Sequence, residues 1–152
     1  MPDSTPTTAI TIRAAEPADL DALREIYLRS RAATFFWTDA AKLQLADFDA
    51  ATQDEPILVA MSGKEIAGFV SWWPPDNFIH NLFVDPAYLR RGIGRLLLHA
   101  CLQQIGRPAI LKCVQANEPA MAFYRAQGWT IAGEGTGDRG PYYLLQSGST
   151  LP

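Results

Sequence analysis

Residues 78–98 constrain the fold more than any other part of the chain. An apolar run, Phe78-Ile79-His80-Asn81-Leu82-Phe83-Val84, stops at Asp85-Pro86. A short stretch with three arginines and two glycines follows, Leu89-Arg90-Arg91-Gly92-Ile93-Gly94-Arg95, and leads into a leucine-rich segment broken at Gly106 and Pro108. The periods are those of a strand, then a helix. Residues 109–114 form another strand-like run, so the unit reads strand–helix–strand. Two such strands in one sheet are parallel and joined by a right-handed crossover.

The remaining segments extend this unit on both sides. Residues 9–14 alternate apolar and polar as a half-buried strand does. Glu16-Pro17 opens a helix with Leu20, Leu23, Ile26 and Tyr27 on one face. Asp39 is placed to cap a second helix carrying Leu43 and Phe48. Residues 56–61 and 65–73 are strands joined by the turn Ser62-Gly63-Lys64. With 78–84 they predict an antiparallel meander. Asn117 caps a short helix that stops at Gly128, and strands near 129–134 and 141–146 finish the order βααβββαβαββ. The fold class is α/β: a mixed central sheet of about six to seven strands with about four helices on its faces.

At 152 residues, 48% of them hydrophobic and 19% charged, the chain has room for one core. The expectation is a Pro/Thr-rich tail over residues 1–8 and a single domain over 9–152. A net charge of −3 offers no basic footprint for nucleic acid or an anionic membrane. No apolar run reaches the roughly 18 residues of a membrane span. Residues 1–8 lack the basic and apolar blocks of a signal peptide, so a cytoplasmic location is expected. Cys101 and Cys113, on a helix and a strand, read as reduced core thiols. His80 and His99 are too few, and the cysteines wrongly spaced, for a metal site.

The loop at 89–95 carries the chemistry. A helix start leaves backbone N–H groups without partners, and the helix dipole adds partial positive charge there. Gly92 and Gly94 let a pyrophosphate approach those donors with no Cβ in the way, and Arg90, Arg91 and Arg95 add charge-assisted contacts. A dinucleotide-binding fingerprint would need a third glycine where Leu97 stands. A P-loop would need Gly-Lys-Ser/Thr, and Gly94-Arg95-Leu96 does not supply it.

This stretch resembles the phosphate-binding loop of the GCN5-related N-acetyltransferase (GNAT) superfamily, Gln/Arg-x-x-Gly-x-Gly/Ala, with Leu89 standing where a polar residue is usual. Asn117-Glu118-Pro119-Ala120-Met121-Ala122-Phe123-Tyr124, followed by Gly128-Trp129, resembles the second cofactor segment of that family. The resemblance is strongest over 78–129. It implies acetyl-CoA as acyl donor, without a metal. Backbone groups of Leu82, Phe83 and Val84 would pair with the pantetheine arm. Leu89, Arg90, Arg91, Gly92, Ile93, Gly94 and Arg95 would hold the pyrophosphate. Asn117, Ala120, Phe123 and Tyr124 would contact the rest of the arm. The fourth and fifth strands would splay apart to make the slot where donor and acceptor meet.

Acetyl transfer to an amine poses two proton problems. A primary amine of pKa ~10.4 is protonated roughly a thousandfold at pH 7, which withholds about 4 kcal/mol of nucleophile. The departing thiolate, of pKa ~8.5, gains from a proton donor. Tyr124 is the candidate general acid, and a backbone N–H near Leu82 the candidate oxyanion donor. His80 is the candidate base, two residues from Leu82 and so expected on the same face; Asp76, acting through water, is the alternative. Relatives that acetylate ribosomal protein N-termini carry a Glu on the fifth strand where Lys112 stands here.

The acceptor side falls to Phe35, Phe36, Trp37, Trp72, Trp73, Tyr142 and Tyr143, with Asp39, Asp47, Asp49 and Asp76 as cation attractors, although large aromatics are also core material. The expected function is direct acetyl transfer, in a ternary complex, to the primary amine of a small, amino-acid-like molecule. The alternatives are a protein or peptide acetyltransferase and a non-catalytic acyl-CoA sensor. An exposed edge at the final strand would permit a homodimer.

Overall fold

The computed structural model describes residues 9–34 and 43–147. Strand β1 (Ile10–Ala14) is followed by helices α1 (Leu20–Thr34) and α2 (Asp47–Ala51). Strands β2 (Ile57–Ser62), β3 (Glu65–Trp73) and β4 (Phe78–Val84) come next. Helix α3 (Ile93–Leu102), strand β5 (Ile110–Val114), helix α4 (Glu118–Ala126) and strands β6 (Thr130–Gly137) and β7 (Gly140–Gln146) complete the order. It matches the order expected from the sequence. One seven-stranded sheet runs β1-β2-β3-β4-β5-β7-β6. Every neighbouring pair is antiparallel except β4 and β5, which are parallel.

Two expectations are corrected. Helix α2 is a short segment that begins at Asp47 after Ala46, so Leu43 precedes it, and Asp39 lies outside the described residues. The final strand is not an edge. β7 is inserted between β5 and β6, and β6 takes the edge instead. Chain order alone does not distinguish a hairpin added outward from one whose second strand folds back inside.

The entry to α1 is closed by local chemistry. A 3-10 turn at Pro17–Asp19 leads into α1, and Glu16 and Asp19 form a reciprocal capping box there. The Asp19 carboxylate also accepts from the Arg13 guanidinium at 2.7 and 3.0 Å, which ties β1 to the helix entry and holds Asp19 below the usual carboxylate range. In α3 the residues Ile93, Leu97, Leu98, Cys101 and Leu102 are buried, the spacing of an amphipathic helix laid on a sheet.

The core has two parts, one on each face of the sheet. Trp72, Ile79, Leu111 and Leu145 pack with α3 and α4 on one face. Val59 and Phe69 pack with Leu23, Ile26, Tyr27 and Phe48 on the other. Covered on both faces, β2 and β3 read as continuous apolar runs rather than alternating ones. Close approach at the centre requires Gly68: a Cβ there would lie 2.6 Å from the Phe83 carbonyl oxygen and 3.2 Å from a Leu97 methyl. Cys101 and Cys113 are free and buried, and burial pushes their thiols up to about 12 and about 11.

Two outcomes follow from this packing. Gly68→Ala should destabilise the fold by about 1–3 kcal/mol, as overpacking does, read as a lower urea midpoint. The thiols stay neutral in the folded chain while the unfolded chain begins to ionise near pH 8.5. Stability should therefore be intact below that pH and fall as pH rises toward 11–12. Urea midpoints measured from pH 7 to 11 should drop less steeply in a Cys101→Ala/Cys113→Ala double variant.

Candidate active site

Strands β4 and β5 pair only at Phe78↔Ile110 and Ile79↔Leu111. Beyond Ile79 they part, and β5 pairs with no further residue of β4. The gap opens into a cleft of about 450 Å³. Its walls come from both faces of the sheet: Phe123 and Tyr124 of α4 on one side, Ser30 of α1 and Arg139 of the β6–β7 turn on the other. The cleft therefore passes through the sheet, between its two core layers.

The loop and helix residues singled out from the sequence converge on this cleft. Leu82, Phe83, Val84, Leu89, Arg90, Gly92, Ile93, Gly94 and Arg95 line it, as do Asn117, Ala120, Phe123 and Tyr124. Arg91 is the exception: its guanidinium lies over the Tyr88 ring at 5.4 Å. Gly92 is the N-cap of α3 with φ +76°, and Arg90 also takes a left-handed φ of +66°. Left-handed residues alternating with right-handed ones make backbone N–H groups converge into an anion-binding concavity. The left-handed Arg90 could not be read from the sequence, because such a conformation costs a non-glycine residue about 1–2 kcal/mol. At Gly94 a Cβ would meet Phe123 and Val84 at 3.6 and 3.7 Å, ordinary contact distances.

Asn117 Oδ1 accepts from the Ala120 N–H at 3.3 Å and caps α4, which leaves its amide N–H₂ as the donor at the cleft wall. Tyr124 packs edge-on against Phe123 and Trp129, with ring centroids 5.1 and 5.7 Å away. Burial, with Cys113 and Cys101 nearby, raises its phenol above the ordinary tyrosine value, so it stays protonated over the physiological range. Among the described residues no protein group hydrogen-bonds its hydroxyl.

His80 does not share the face of Leu82. The β3–β4 register passes from Ser71↔Asn81 to Trp72↔Ile79, which leaves His80 without an opposite residue, at a bulge. A bulge breaks the two-residue period and re-aims a side chain. Leu82 packs with the α3–α4 layer. The His80 imidazole instead stands against the Phe78 ring and pairs through Nδ1 with the Glu55 carboxylate. His80 lines the cleft, as do Lys112 and Cys113.

Of the residues expected to line the acceptor side, the described ones sit elsewhere. Trp72 is buried in the α3–α4 layer. Trp73, Tyr142, Tyr143 and Asp76 do not line the cleft, and the Tyr142 ring carries the Lys112 ammonium at 4.9 Å. Asp47 and Asp49 are paired with Arg31 and Arg24. Phe35, Phe36, Trp37 and Asp39 lie outside the described residues. His99 is exposed on α3. Among the described residues no cluster of metal-ligating side chains forms, and no helix is long and apolar enough to cross a membrane.

Comparison with known proteins agrees with this geometry. The sequence model of the acetyltransferase (GNAT) family matches residues 20–129. Peptidyl-lysine N-acetyltransferase YiaC of Escherichia coli K12 is 32% identical over 126 residues, covering 79% of this chain and 83% of that protein. The solution structure of apo YjaB from Escherichia coli superposes with a TM-score of 0.76 at 22% identity, covering 93% and 99% of the two chains. The structure of YncA from Salmonella typhimurium with its cofactor acetyl-CoA superposes with a TM-score of 0.69 at 21% identity, covering 95% and 96%. A parted parallel strand pair, a glycine-bearing helix entry beside it and a tyrosine-bearing helix across from it are thus joined to a family match over most of the chain: this protein belongs to the GNAT family and is an N-acetyltransferase.

Proposed function

We propose that this enzyme transfers the acetyl group of acetyl-CoA directly to a primary amine, with donor and acceptor held together in the cleft between β4 and β5. The observation that carries the reading is the parting of these strands after two residue pairs, beside a helix entry that Gly92 leaves open. The cradle suits the donor. The loop at 89–95 offers α3 N–H groups and the Arg90 and Arg95 side chains to a pyrophosphate. The side of Leu82–Val84 that faces away from β3 suits the amide-bearing arm as a strand partner would. Asn117, Ala120 and Phe123 wall the arm from the α4 side. The acetyl-CoA held by the similar Salmonella protein supports the same assignment.

The thioester supplies an activated acetyl group; the protein's own groups manage the protons. His80 takes the proton that an alkylammonium must lose before its nitrogen attacks the acetyl carbon. As the C–S bond breaks, the Tyr124 hydroxyl donates toward the sulfur, and the second proton that the attacking nitrogen loses as the amide forms restores the phenol through water. Burial suits this role by keeping the phenol protonated before the step. A backbone N–H of the β4 edge meets the carbonyl oxygen as charge gathers there. Asp76 is not adopted as a base, because it does not line the cleft.

The acceptor is a primary amine entering from the α1–α2 side, past Ser30 and Arg139. A small amino-acid-like amine fits a cleft of this size. Similarity to the peptidyl-lysine enzyme YiaC favours a lysine side chain as a second reading. Release of free thiol from acetyl-CoA, measured against amines, amino acids and single-lysine peptides, separates the two; no release with any of them removes both acceptor readings.

Tyr124→Phe should lower kcat by about a hundred- to ten-thousandfold while the KM for acetyl-CoA stays within about twofold, general-acid contributions being of that order. Unaltered turnover would remove the general-acid role. Gly92→Asp, which places a carboxylate and a side chain at a left-handed N-cap, should abolish acetyl-CoA binding by calorimetry. Wild-type affinity in that variant would overturn the pyrophosphate assignment.

A further inference from the structure

Glu55 belongs to neither of the two motif-bearing stretches. It lies in the loop between α2 and β2, which is held in place locally. Its N–H donates to the Thr52 carbonyl at 3.0 Å, and Asp54 takes a left-handed φ of +62°. Its side chain is only 2% exposed, although it pairs with a His80 that is 44% exposed. A carboxylate this buried persists only if its lone pairs are met.

A short chain of bonds meets them, and the chain has a direction. Asn81 Nδ2 donates to Ser71 Oγ at 2.8 Å and to the Ala51 carbonyl at 3.1 Å. With an N–H donor on its oxygen, the fully buried Ser71 hydroxyl gives its own proton to Glu55 Oε1 at 2.9 Å. A carboxylate only accepts, so its other oxygen, Oε2, receives a proton from His80 Nδ1. In the neutral imidazole Nε2 is then the bare nitrogen.

We propose that Glu55 is a positioning residue: held by Ser71 and Asn81, it fixes His80 in the Nδ1–H tautomer and turns Nε2 into the cleft to receive the amine proton. This rests on the reading of His80 as base. The β4 bulge is part of the device, because it turns His80 to the face on which Glu55 stands. Among the described residues, the other titratable or charged groups lining the cleft are Lys112 and Cys113 on β5, Tyr124 on α4 and Arg139 on the β6–β7 turn, with Tyr88, Arg90 and Arg95 toward the phosphate end. On α2, Asp47 and Asp49 are already paired with Arg31 and Arg24. Glu55 is the group bonded to the imidazole.

Glu55→Gln tests the assignment, because the amide is isosteric and its consequence is determined. The Ser71 hydroxyl still needs an acceptor and takes the amide oxygen. The amide N–H₂ then faces Nδ1, which must accept, and the ring proton moves to Nε2. The chain has two histidines, so ¹⁵N spectra of histidine-labelled protein, assigned with His99→Gln, report the tautomer directly. The wild type should show Nδ1–H in the neutral ring of His80, and Glu55→Gln should show Nε2–H. With acetyl-CoA and a single-lysine peptide, kcat should fall about a hundredfold or more, with acetyl-CoA affinity unchanged by calorimetry. An Nε2–H tautomer in the wild type overturns the proposal, whatever the variant does. A tautomer that switches while turnover stays level upholds the positioning by Glu55 and removes instead the role of His80 as base. If the peptide is not a substrate, the two spectra alone decide.

Discussion

The site depends on two strands that stop pairing. β4 and β5 share two residue pairs and then separate, a costly arrangement inside a sheet, since each strand left without a neighbour gives up bonds its backbone would otherwise make. The cost is accepted at one place, where β3 continues to hold the other edge of β4 and the two core layers brace the sheet above and below. The separation supplies both parts of the chemistry: a backbone edge for a ligand to complete, and an opening that connects the two sides of the sheet.

The bulge at His80 works with this separation. It falls one residue beyond the last β4–β5 pair, and it sends His80 to the α1–α2 side while Leu82 stays with the α3–α4 layer. Tyr124 approaches from α4. The groups read as base and acid thus reach one cleft from opposite layers. Neither role needs a long or mobile side chain; each follows from which face of the sheet its element covers.

Much of this is legible in the sequence. Gly, Pro, Asp and Asn mark the strand limits at 65–73 and 78–84, and glycines mark the α3 entry. Residues of the two informative stretches meet in the cleft, apart from the Arg91 side chain, which stacks on Tyr88 instead. What stays hidden is non-local. Strict alternation places His80 beside Leu82, because a bulge is set by the partner strand. The position of β7 inside the sheet depends on which edge is free once β5 has formed. Glu55 carries no local signal, since its role comes from Ser71 and Asn81, 16 and 26 residues further along the chain. Trp72, a candidate for the acceptor side by its chemistry, is core, which is the common fate of a large aromatic on a central strand.

A passage that runs from one side of the sheet to the other has a kinetic consequence. On the proposed reading donor and acceptor use separate doors, and neither has to leave or arrive before the other. Initial-rate patterns would be those of a random sequential reaction, with lines intersecting rather than parallel. Each product could depart by the side on which its parent entered, and free coenzyme A would compete with the donor without shutting out the amine.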